Sequence, residues 1–357
     1  MKLLFLPGDG IGPEICRATF GVAKALEKRF SLGLDFVHET IGFDALKRHN
    51  TTMPTQVLER ARAADGIVLG PVSHADYPSR EEGGLNPSGV LRRELQLFAN
   101  VRPARTRDQL PHPAREPFDL VVVRENLEGF YADRTMFAGT GEFMPTPDLA
   151  LSVRKVTAQG SRRIAERAFQ IAAERKRKVT AVHKANVLRV SGGLFLEHVR
   201  DVANQWPDIE YDEMLIDAAA AHLIRNPAQF DTIVTTNMFG DILSDEASEL
   251  SGGLGLAASL NEGNDHAVAQ AQHGSAPGIA DQDIANPTSL IGSLGMLLHW
   301  LSVKKNLPLL HDAAFTLETA LSHALSAPET RTRDIGGVLG TNDFGKHLAH
   351  AIERKLV

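Results

Sequence analysis

The stretch TIVTTNMFGDILSD, residues 232–245, joins an apolar run to two spaced aspartates. The β-branched residues 232–236 predict a short buried strand, and the residues after Gly240 predict the start of a helix. Asp241 and Asp245 are four positions apart, so both carboxylates project from one face of that helix. Because Mg2+ and Mn2+ prefer carboxylate oxygens, this pair predicts a metal site; two acids on a solvated helix face are the alternative.

Short apolar runs alternate with amphipathic runs on both sides of this stretch. The predicted strands cover residues 3–6, 66–70, 120–123, 179–182 and 232–236. The predicted helices cover residues 13–30, 54–64, 161–175 and 286–303, and Pro287 is expected at the first position of the last one. Alternation of this kind is typical of an α/β fold whose sheet is parallel or mixed.

Two further segments lack a clear hydrophobic period. Residues 263–273 are polar, and we expect them at the surface. Residues 131–154 are rich in glycine, proline and threonine, and they are long for a connection inside a domain. We interpret them as an arm that pairs with a second subunit, with a disordered loop as the alternative.

Composition limits the classes of protein that fit. A chain of 357 residues with 43% hydrophobic content predicts two domains or one elaborated domain. The net charge of −6 argues against nucleic-acid and anionic-membrane partners. Cys16 is the single cysteine, which fits a reducing compartment. Since we find neither a signal peptide nor an apolar run of membrane-spanning length, we expect a soluble cytoplasmic protein.

A glycine-rich turn follows the first predicted strand. The sequence GDGIGPE, residues 8–14, has the spacing G-x-G-x-G, whereas a dinucleotide fingerprint has G-x-G-x-x-G. No acidic residue stands at the end of a second strand to bind a ribose. The segment therefore does not predict a Rossmann fold. It does predict a tight turn whose backbone can approach a ligand closely.

Three arginines form a candidate anion site. Arg124 ends the apolar run 120–123, where a charged side chain is poorly solvated and needs an anion. Arg92 lies on a helical pattern, and Arg102 follows ten residues later. Guanidinium groups bind carboxylates in bidentate geometry, so arginines converging near a metal predict a substrate with two or more carboxylates.

Candidate acid–base groups occur elsewhere in the chain. Lys184 follows a predicted buried strand, and Tyr131 is one of only three tyrosines. A lysine near a metal and arginines is shifted toward the neutral form that a general base requires. Asp217 precedes an apolar helix start and is a third candidate metal ligand, with an N-cap role as the alternative. A solvated helix-start charge and a half-buried ring are the structural alternatives for Lys184 and Tyr131.

These motifs together resemble the β-decarboxylating dehydrogenase family, whose members oxidise isocitrate, homoisocitrate, isopropylmalate, or tartrate and malate. The resemblance covers nearly the whole chain and keeps the order of the family's motifs. It rests on residues 8–14, 91–92, 100–103, 124–126, 128–129, 131, 183–186, 217, 237, 240–245, 273–277 and 285–287.

The resemblance implies a two-domain isocitrate/isopropylmalate dehydrogenase-like fold, with mixed sheets flanked by helices and without a Rossmann fold. Residues 1–97 and 250–357 would form a large, discontinuous cofactor-binding domain. Residues 98–249 would form a smaller domain, with the dimer arm at 132–154. A homodimer would share its active sites between subunits, and Lys184 and Asp217 would reach the site of the partner.

The resemblance also implies a role for each candidate residue. The substrate carboxylates would be bound by Arg92, Arg102 and Arg124, with Ser88 beside them. Mg2+ or Mn2+ would be held by Asp217, Asp241 and Asp245. Proton transfers would be performed by Lys184 and Tyr131, with Asp217 beside them. NAD would be bound by His273, Gly274, Ser275, Ala276, Pro277, Asn286 and Asn186.

Two departures from the family pattern bear on the cofactor and the substrate. Gly278 stands where NAD-dependent relatives carry an acidic residue, and the basic and aromatic residues typical of NADP enzymes are absent there too, which favours NAD. Ser88 and Gly89 stand where isopropylmalate enzymes carry leucines, so a polar C3 substituent is favoured, as in isocitrate, homoisocitrate, tartrate or D-malate. A 3-isopropylmalate dehydrogenase is the alternative within the family. A metal-dependent phosphoryl-transfer enzyme and a non-catalytic regulatory paralogue are the alternatives outside this activity.

Overall fold

A computed structural model describes residues 1–131 and 141–356. In these residues the helices are α1 Gly12–Phe30, α2 Gly42–His49, α3 Thr55–Ala63, α4 Pro87–Glu94, α5 Ala158–Ala173, α6 Arg189–Ala203, α7 Ile216–Arg225, α8 Asn237–Leu250, α9 Thr288–Lys305, α10 Pro308–Ser326 and α11 Thr341–Glu353. The strands are β1 Lys2–Leu6, β2 Asp35–His38, β3 Gly66–Leu69, β4 Ala99–Arg105, β5 Asp119–Glu125, β6 Glu142–Thr146, β7 Leu149–Ser152, β8 Lys178–His183, β9 Glu210–Leu215, β10 Thr232–Thr235, β11 Leu260–Glu262 and β12 Ala267–Gln270. Across both described ranges, no helix is long and apolar enough to cross a bilayer.

Ten of these strands form one mixed sheet in the order β2-β1-β3-β12-β11-β4-β5-β10-β8-β9. Most neighbours are parallel, but β11 is antiparallel to β12 and β4, and β4 is antiparallel to β5. One half of the order uses strands from residues 2–69 and 260–270, and the other half uses strands from 99–235. The α/β architecture is as predicted. The assignment of domain boundaries to residues 97 and 250 stays a prediction.

Helices cover both faces of the sheet, and the alternation of side chains along β5 shows which face each helix covers. Val121 and Val123 pack in a core with α5 and α6. Val122 packs in a separate core with α7 and α8. Arg124 lies two residues after Val122 and so on the same face of β5, and Arg102 on β4 is the direct cross-strand partner of Val122. Both arginines therefore lie on the face that α8 covers.

The predicted surface position of residues 263–273 is wrong. The segment contains β12, which lies inside the sheet between β3 and β11, and Ala267, Val268 and Ala269 are buried. The sequence Ala-Val-Ala-Gln has little of the β-branched and aromatic content that identifies a strand, but its small side chains fit between closely packed helices. Helix α9 also begins later than predicted, at Thr288, so Pro287 precedes the helix instead of opening it.

Strands β6 and β7 form a separate antiparallel ribbon inside the predicted dimer arm. Its apolar side chains are unusually accessible, with Phe143 48% exposed and Leu151 44% exposed. The two residues are direct cross-strand partners and so share one face of the ribbon. Residues 132–140 of the predicted arm lie outside the described residues.

Candidate active site

Asp241 lies where two buried arginines converge on the first turns of α8. Arg102, on β4, donates from Nη1 to Asp241 Oδ1 at 3.1 Å, and Arg124, on β5, forms a close ion pair with the same oxygen. The Arg124 guanidinium also donates from Nε to Asn237 Oδ1 at 3.0 Å. The two arginine residues are only 6% and 3% exposed. Burial without an anion would be costly, so the carboxylate and the arginines hold one another in place.

The charge state of Asp241 follows from this arrangement. Burial raises the pKa of its carboxyl group, but Arg124, Arg102 and Arg92 together outweigh burial and hold the pKa below its ordinary value. The group is therefore ionised at neutral pH. Its side chain remains 36% exposed, so a cation can reach it from the cavity.

A cavity of about 260 Å3 opens in front of Asp241. Its described lining residues include six of the predicted substrate and cofactor residues: Arg92, Arg102, Arg124, Ser88, His273 and Gly274. Tyr131 and Asp241 line it as well, and Tyr131 Oη donates to Asp241 Oδ2 at 3.4 Å. The structure thus brings together residues that are up to 203 positions apart in the sequence, since the lining runs from Pro71 to Gly274.

Asp245 lies one helical turn beyond Asp241. Arg102 Nη1 is 3.3 Å from its Oδ1, and Gln272 Nε2 donates to the same oxygen at 2.7 Å. The Asp245 side chain is 51% exposed. Two carboxylates on one helix face fit the oxygen-ligand chemistry of Mg2+ or Mn2+. Within residues 1–131 and 141–356, however, no three acidic, histidine or cysteine side chains lie close enough together to hold a metal.

Lys184 and Asp217 pair with each other. Lys184 Nζ donates to Asp217 Oδ1 at 2.6 Å, and this hydrogen bond lowers the pKa of the Asp217 carboxyl group. Neither residue is among the described residues that line the cavity. The N-cap alternative for Asp217 is wrong, because Leu215 occupies that position and Asp217 lies in the first turn of α7. Asn186 is exposed two residues beyond Lys184 and is likewise outside the described lining.

The predicted cofactor loop, residues 273–277, is braced by the glycine-rich turn. Ile11 donates its backbone N–H to the Ser275 carbonyl at 2.8 Å, and a Cβ on Gly10 would lie 2.0 Å from that carbonyl oxygen. The Ser275 and Ser73 hydroxyl oxygens are 2.7 Å apart. The turn at residues 8–12 therefore supports the loop, and only glycine allows this close approach.

The remaining cofactor candidates flank this loop. Ala276 has a left-handed backbone with φ of 38°, and Pro277 begins a short 3-10 turn. Asn286 Nδ2 donates to Asp334 Oδ2 at 3.0 Å. Burial lowers the pKa of His273, so its imidazole is neutral at pH 7. A neutral ring beside an open loop fits a nucleotide cofactor, because it can stack and hydrogen-bond without carrying charge.

Sequence analysis missed several polar residues of the cavity wall. Gln270, Gln272 and His74 line the cavity. Gln270 ends the strand that the sequence did not reveal, and Gln272 contacts a candidate metal ligand. A glutamine directly after Ala267–Ala269 was the available signal, since a long amide on a buried strand needs partners.

A larger cavity, of about 600 Å3, lies on the opposite face of the sheet. Val101 and Val121 line it, and these residues face α5 instead of α8. Its buried charge is already neutralised, as Glu262, 2% exposed, pairs with Arg167. The arginine cluster and Asp241 line the smaller cavity, which is therefore the candidate site.

The candidate site combines a buried arginine cluster, paired aspartates and a loop that the glycine-rich turn supports. Comparisons with known proteins identify the family of the chain. The sequence profile described as isocitrate/isopropylmalate dehydrogenase matches residues 2–348. A 3-isopropylmalate dehydrogenase of Methanothermobacter thermautotrophicus is 40% identical over 99% of both chains. A homoisocitrate dehydrogenase of Methanocaldococcus jannaschii is 37% identical over 100% of this chain and 99% of its own. The crystal structure of isocitrate dehydrogenase from Methylococcus capsulatus superposes with a TM-score of 0.87 at 37% identity, covering 99% of each chain.

The protein is therefore an oxidoreductase that acts on a CH–OH group. More particularly, the chain belongs to the isocitrate/isopropylmalate dehydrogenase family. This confirms the predicted family and its fold class.

Proposed function

We propose that the protein catalyses a metal-dependent oxidative decarboxylation of a 2-hydroxy acid that bears a 3-carboxylate and a polar C3 substituent, with NAD as the hydride acceptor. The convergence of Arg92, Arg102 and Arg124 on Asp241, in the cavity that the loop at His273 also lines, is the single observation that supports it most strongly.

The arginines account for the substrate class. Three guanidinium groups act on one aspartate, and the two that are buried cannot be neutralised by bulk solvent. A substrate with two carboxylates would supply the further negative charge that this cluster accommodates. The carboxylate of C1 and the 3-carboxylate would then fix C2 in one orientation.

The reaction balances with the groups available. C2 gives a hydride to NAD+ while its hydroxyl proton leaves, which yields a 2-oxo acid, NADH and a proton. The C3–carboxylate bond then breaks, CO2 leaves, and the electron pair of that bond forms an enolate that takes a proton at C3. Lys184 would accept the hydroxyl proton, with Asp217 beside it, and Tyr131 would donate the proton to C3.

A divalent metal at Asp241 and Asp245 would supply Lewis-acid polarisation of the C2 oxygen when bound. These carboxylates fit a hard cation, but two ligands from one chain are too few for tight binding. We therefore assign the third carboxylate to the partner subunit of a homodimer, where Asp217 and Lys184 would face the other cavity.

Exposed apolar side chains support this dimer. Val187 and Val190, near Lys184, are 66% and 88% exposed, and Ile242, next to Asp241, is 55% exposed. The ribbon β6–β7 exposes further apolar residues. Burial of these side chains against a second copy would remove them from water and bring the two halves of the site together.

NAD would bind along residues 273–278, of which His273 and Gly274 line the cavity. A Cβ on Gly274 or Gly278 would have no heavy atom of the described residues within 4 Å, so both positions border open space. Asn286 and Asp334 would contact the adenosine half of the cofactor.

The test measures NADH formation with Mn2+ and NAD on isocitrate, homoisocitrate, D-malate, tartrate and 3-isopropylmalate, with NADP and EDTA as controls. We expect reduction on a polar acid that EDTA abolishes. If activity is highest on 3-isopropylmalate, the protein is instead a 3-isopropylmalate dehydrogenase. This second candidate function is favoured by the 40% identity to an enzyme of that name. Turnover of none of the acids by a folded, Mn2+-loaded protein would contradict the proposal.

A further inference from the structure

A series of buried amide side chains connects Arg102 to Gln270, and both of these residues line the cavity. Arg102 donates from Nε to Asn100 Oδ1 in a short hydrogen bond, and Asn100 Nδ2 donates to Asn261 Oδ1 at 3.1 Å. Asn261 Nδ2 donates in turn to Gln270 Oε1 at 3.1 Å. Asn100 and Asn261 are 0% and 1% exposed, so water does not compete for these bonds.

The direction of this series is fixed by its first member. Arginine only donates hydrogen bonds, so Asn100 must present its oxygen to Arg102 and its NH2 group to Asn261. Asn261 Oδ1 accepts from Asn100 and also from Asn126 Nδ2 at 3.0 Å. The NH2 group of Asn261 must therefore face Gln270, and the carbonyl oxygen of Gln270 must accept the hydrogen bond.

Ser88 also fixes the orientation of the Gln270 amide group. Its hydroxyl donates to Gln270 Oε1 at 3.1 Å, so the Gln270 carbonyl oxygen accepts two hydrogen bonds. The Gln270 NH2 group then has no acceptor among the described residues, and Gln270 lines the cavity. The Ser88 hydroxyl donates its proton to Gln270, so the lone pairs of Ser88 Oγ remain available to accept a hydrogen bond from a ligand.

The cavity wall that includes Ser88 and Gln270 thus presents a neutral donor, Gln270 Nε2, beside a neutral acceptor, Ser88 Oγ. A hydroxyl group both donates and accepts and so matches this pair. A carboxylate only accepts, and neither group offers it a positive charge. An alkyl group would leave both unpaired, which is costly in a desolvated site.

We infer that Gln270 and Ser88 select a substrate with a hydroxyl group on C3, so that the preferred acid is a 2,3-dihydroxy dicarboxylate of the tartrate type. This inference rests on the proposed function, because the arginines must orient the substrate carboxylates. Gln270 is a specificity residue in this account and takes no part in proton transfer.

The test compares kcat/KM for the tartrate stereoisomers with kcat/KM for D-malate, which lacks the C3 hydroxyl. We expect the wild-type protein to favour one tartrate isomer over D-malate by at least about tenfold, as a site built to bind a hydroxyl rejects the analogue without it. Gln270→Leu should lower that ratio by at least about tenfold, and Ser88→Ala, a smaller change, should lower it severalfold. Gln170→Leu makes the same change at an exposed position of the opposite face and should leave the ratio unaltered.

A general loss of stability would lower both rates together and would not change their ratio, so an unchanged ratio in folded Gln270→Leu and Ser88→Ala overturns the inference. A wild-type preference for isocitrate or 3-isopropylmalate overturns it as well, while the proposed reaction stands. Absence of metal-dependent NADH formation on every acid would overturn both.

Discussion

Two adjacent side chains at the end of β5 show how burial sets the properties of single residues. Arg124 and Glu125 are 3% and 4% exposed and point to opposite faces of the sheet. Arg124 has Asp241 as a close anion. Glu125 accepts backbone hydrogen bonds from Leu127 and Glu128, but burial dominates and raises the pKa of its carboxyl group to about 7.

The raised pKa of Glu125 predicts a pH-dependent loss of stability. The folded protein holds the Glu125 proton more tightly than the unfolded chain, so the free energy of unfolding falls as pH rises from 4.5 to about 7. Glu125→Gln retains an acceptor and removes this titration. Between pH 4 and pH 8, the free energy of unfolding of Glu125→Gln should rise by about 3 kcal/mol relative to that of the wild type, since one pKa unit corresponds to about 1.4 kcal/mol.

Urea unfolding at a series of pH values measures that difference. Glu116→Gln, at an exposed position, is the matched control and should run parallel to the wild type. A Glu125→Gln curve that also runs parallel would mean that the pKa of Glu125 is the same in the folded and the unfolded protein.

Gly278 gives a second prediction for a single residue. A Cβ there would meet open space, so Gly278→Asp fits without strain and places a carboxylate beside the proposed ribose site. We expect the Michaelis constant for NAD to fall by at least about tenfold, since a hydrogen bond to a charged group contributes about 1.5–3 kcal/mol. The control Gly278→Ala adds a carbon atom without a charge, so it shows how much of any change comes from the carboxylate alone. Equal constants for the alanine and aspartate variants would show that no ribose hydroxyl lies near this position.

At the scale of elements, strands and helices with strong local patterns were predictable, and so were many residues of the cavity, but the hydrogen bonds that orient Gln270 were not. β10 and β8 are rich in β-branched residues, and the sequence predicted both. β12 was missed because Ala-Val-Ala-Gln has little strand character of its own. The orientation of Gln270 depends on Arg102, 168 positions away, through two asparagines on other strands. Such a tertiary chain of hydrogen bonds has no local signal.

The ribbon β6–β7 leads to a prediction about assembly. Phe143 and Leu151 share one exposed face, and burial of each in a dimer would contribute about 2 kcal/mol. The double change Phe143→Ser and Leu151→Ser should raise the dimer dissociation constant by at least about tenfold, measured by analytical ultracentrifugation. Phe315→Ser is the control, since Phe315 is 70% exposed on α10. Equal dissociation constants for the double variant and the control would exclude the ribbon from the interface.

The whole molecule presents two separate parts of one expected reaction centre. The arginine cluster, Asp241 and Asp245 lie in or beside the cavity, whereas Lys184 and Asp217 form an ion pair outside its described lining. One chain therefore has the carboxylate-binding groups in one place and the proposed proton acceptor in another. A homodimer that joins each part to the opposite part of its partner is our central claim.

Mixing two inactive variants tests this claim most directly. Lys184→Ala and Asp245→Ala homodimers should each be inactive, and equal amounts should recover about a quarter of wild-type activity after subunit exchange. Half of the dimers are then mixed, and one of the two sites in each mixed dimer keeps both residues. Mass spectrometry of intact dimers would verify the exchange. Recovery near a quarter is the predicted result, and no recovery despite verified exchange would contradict the shared site.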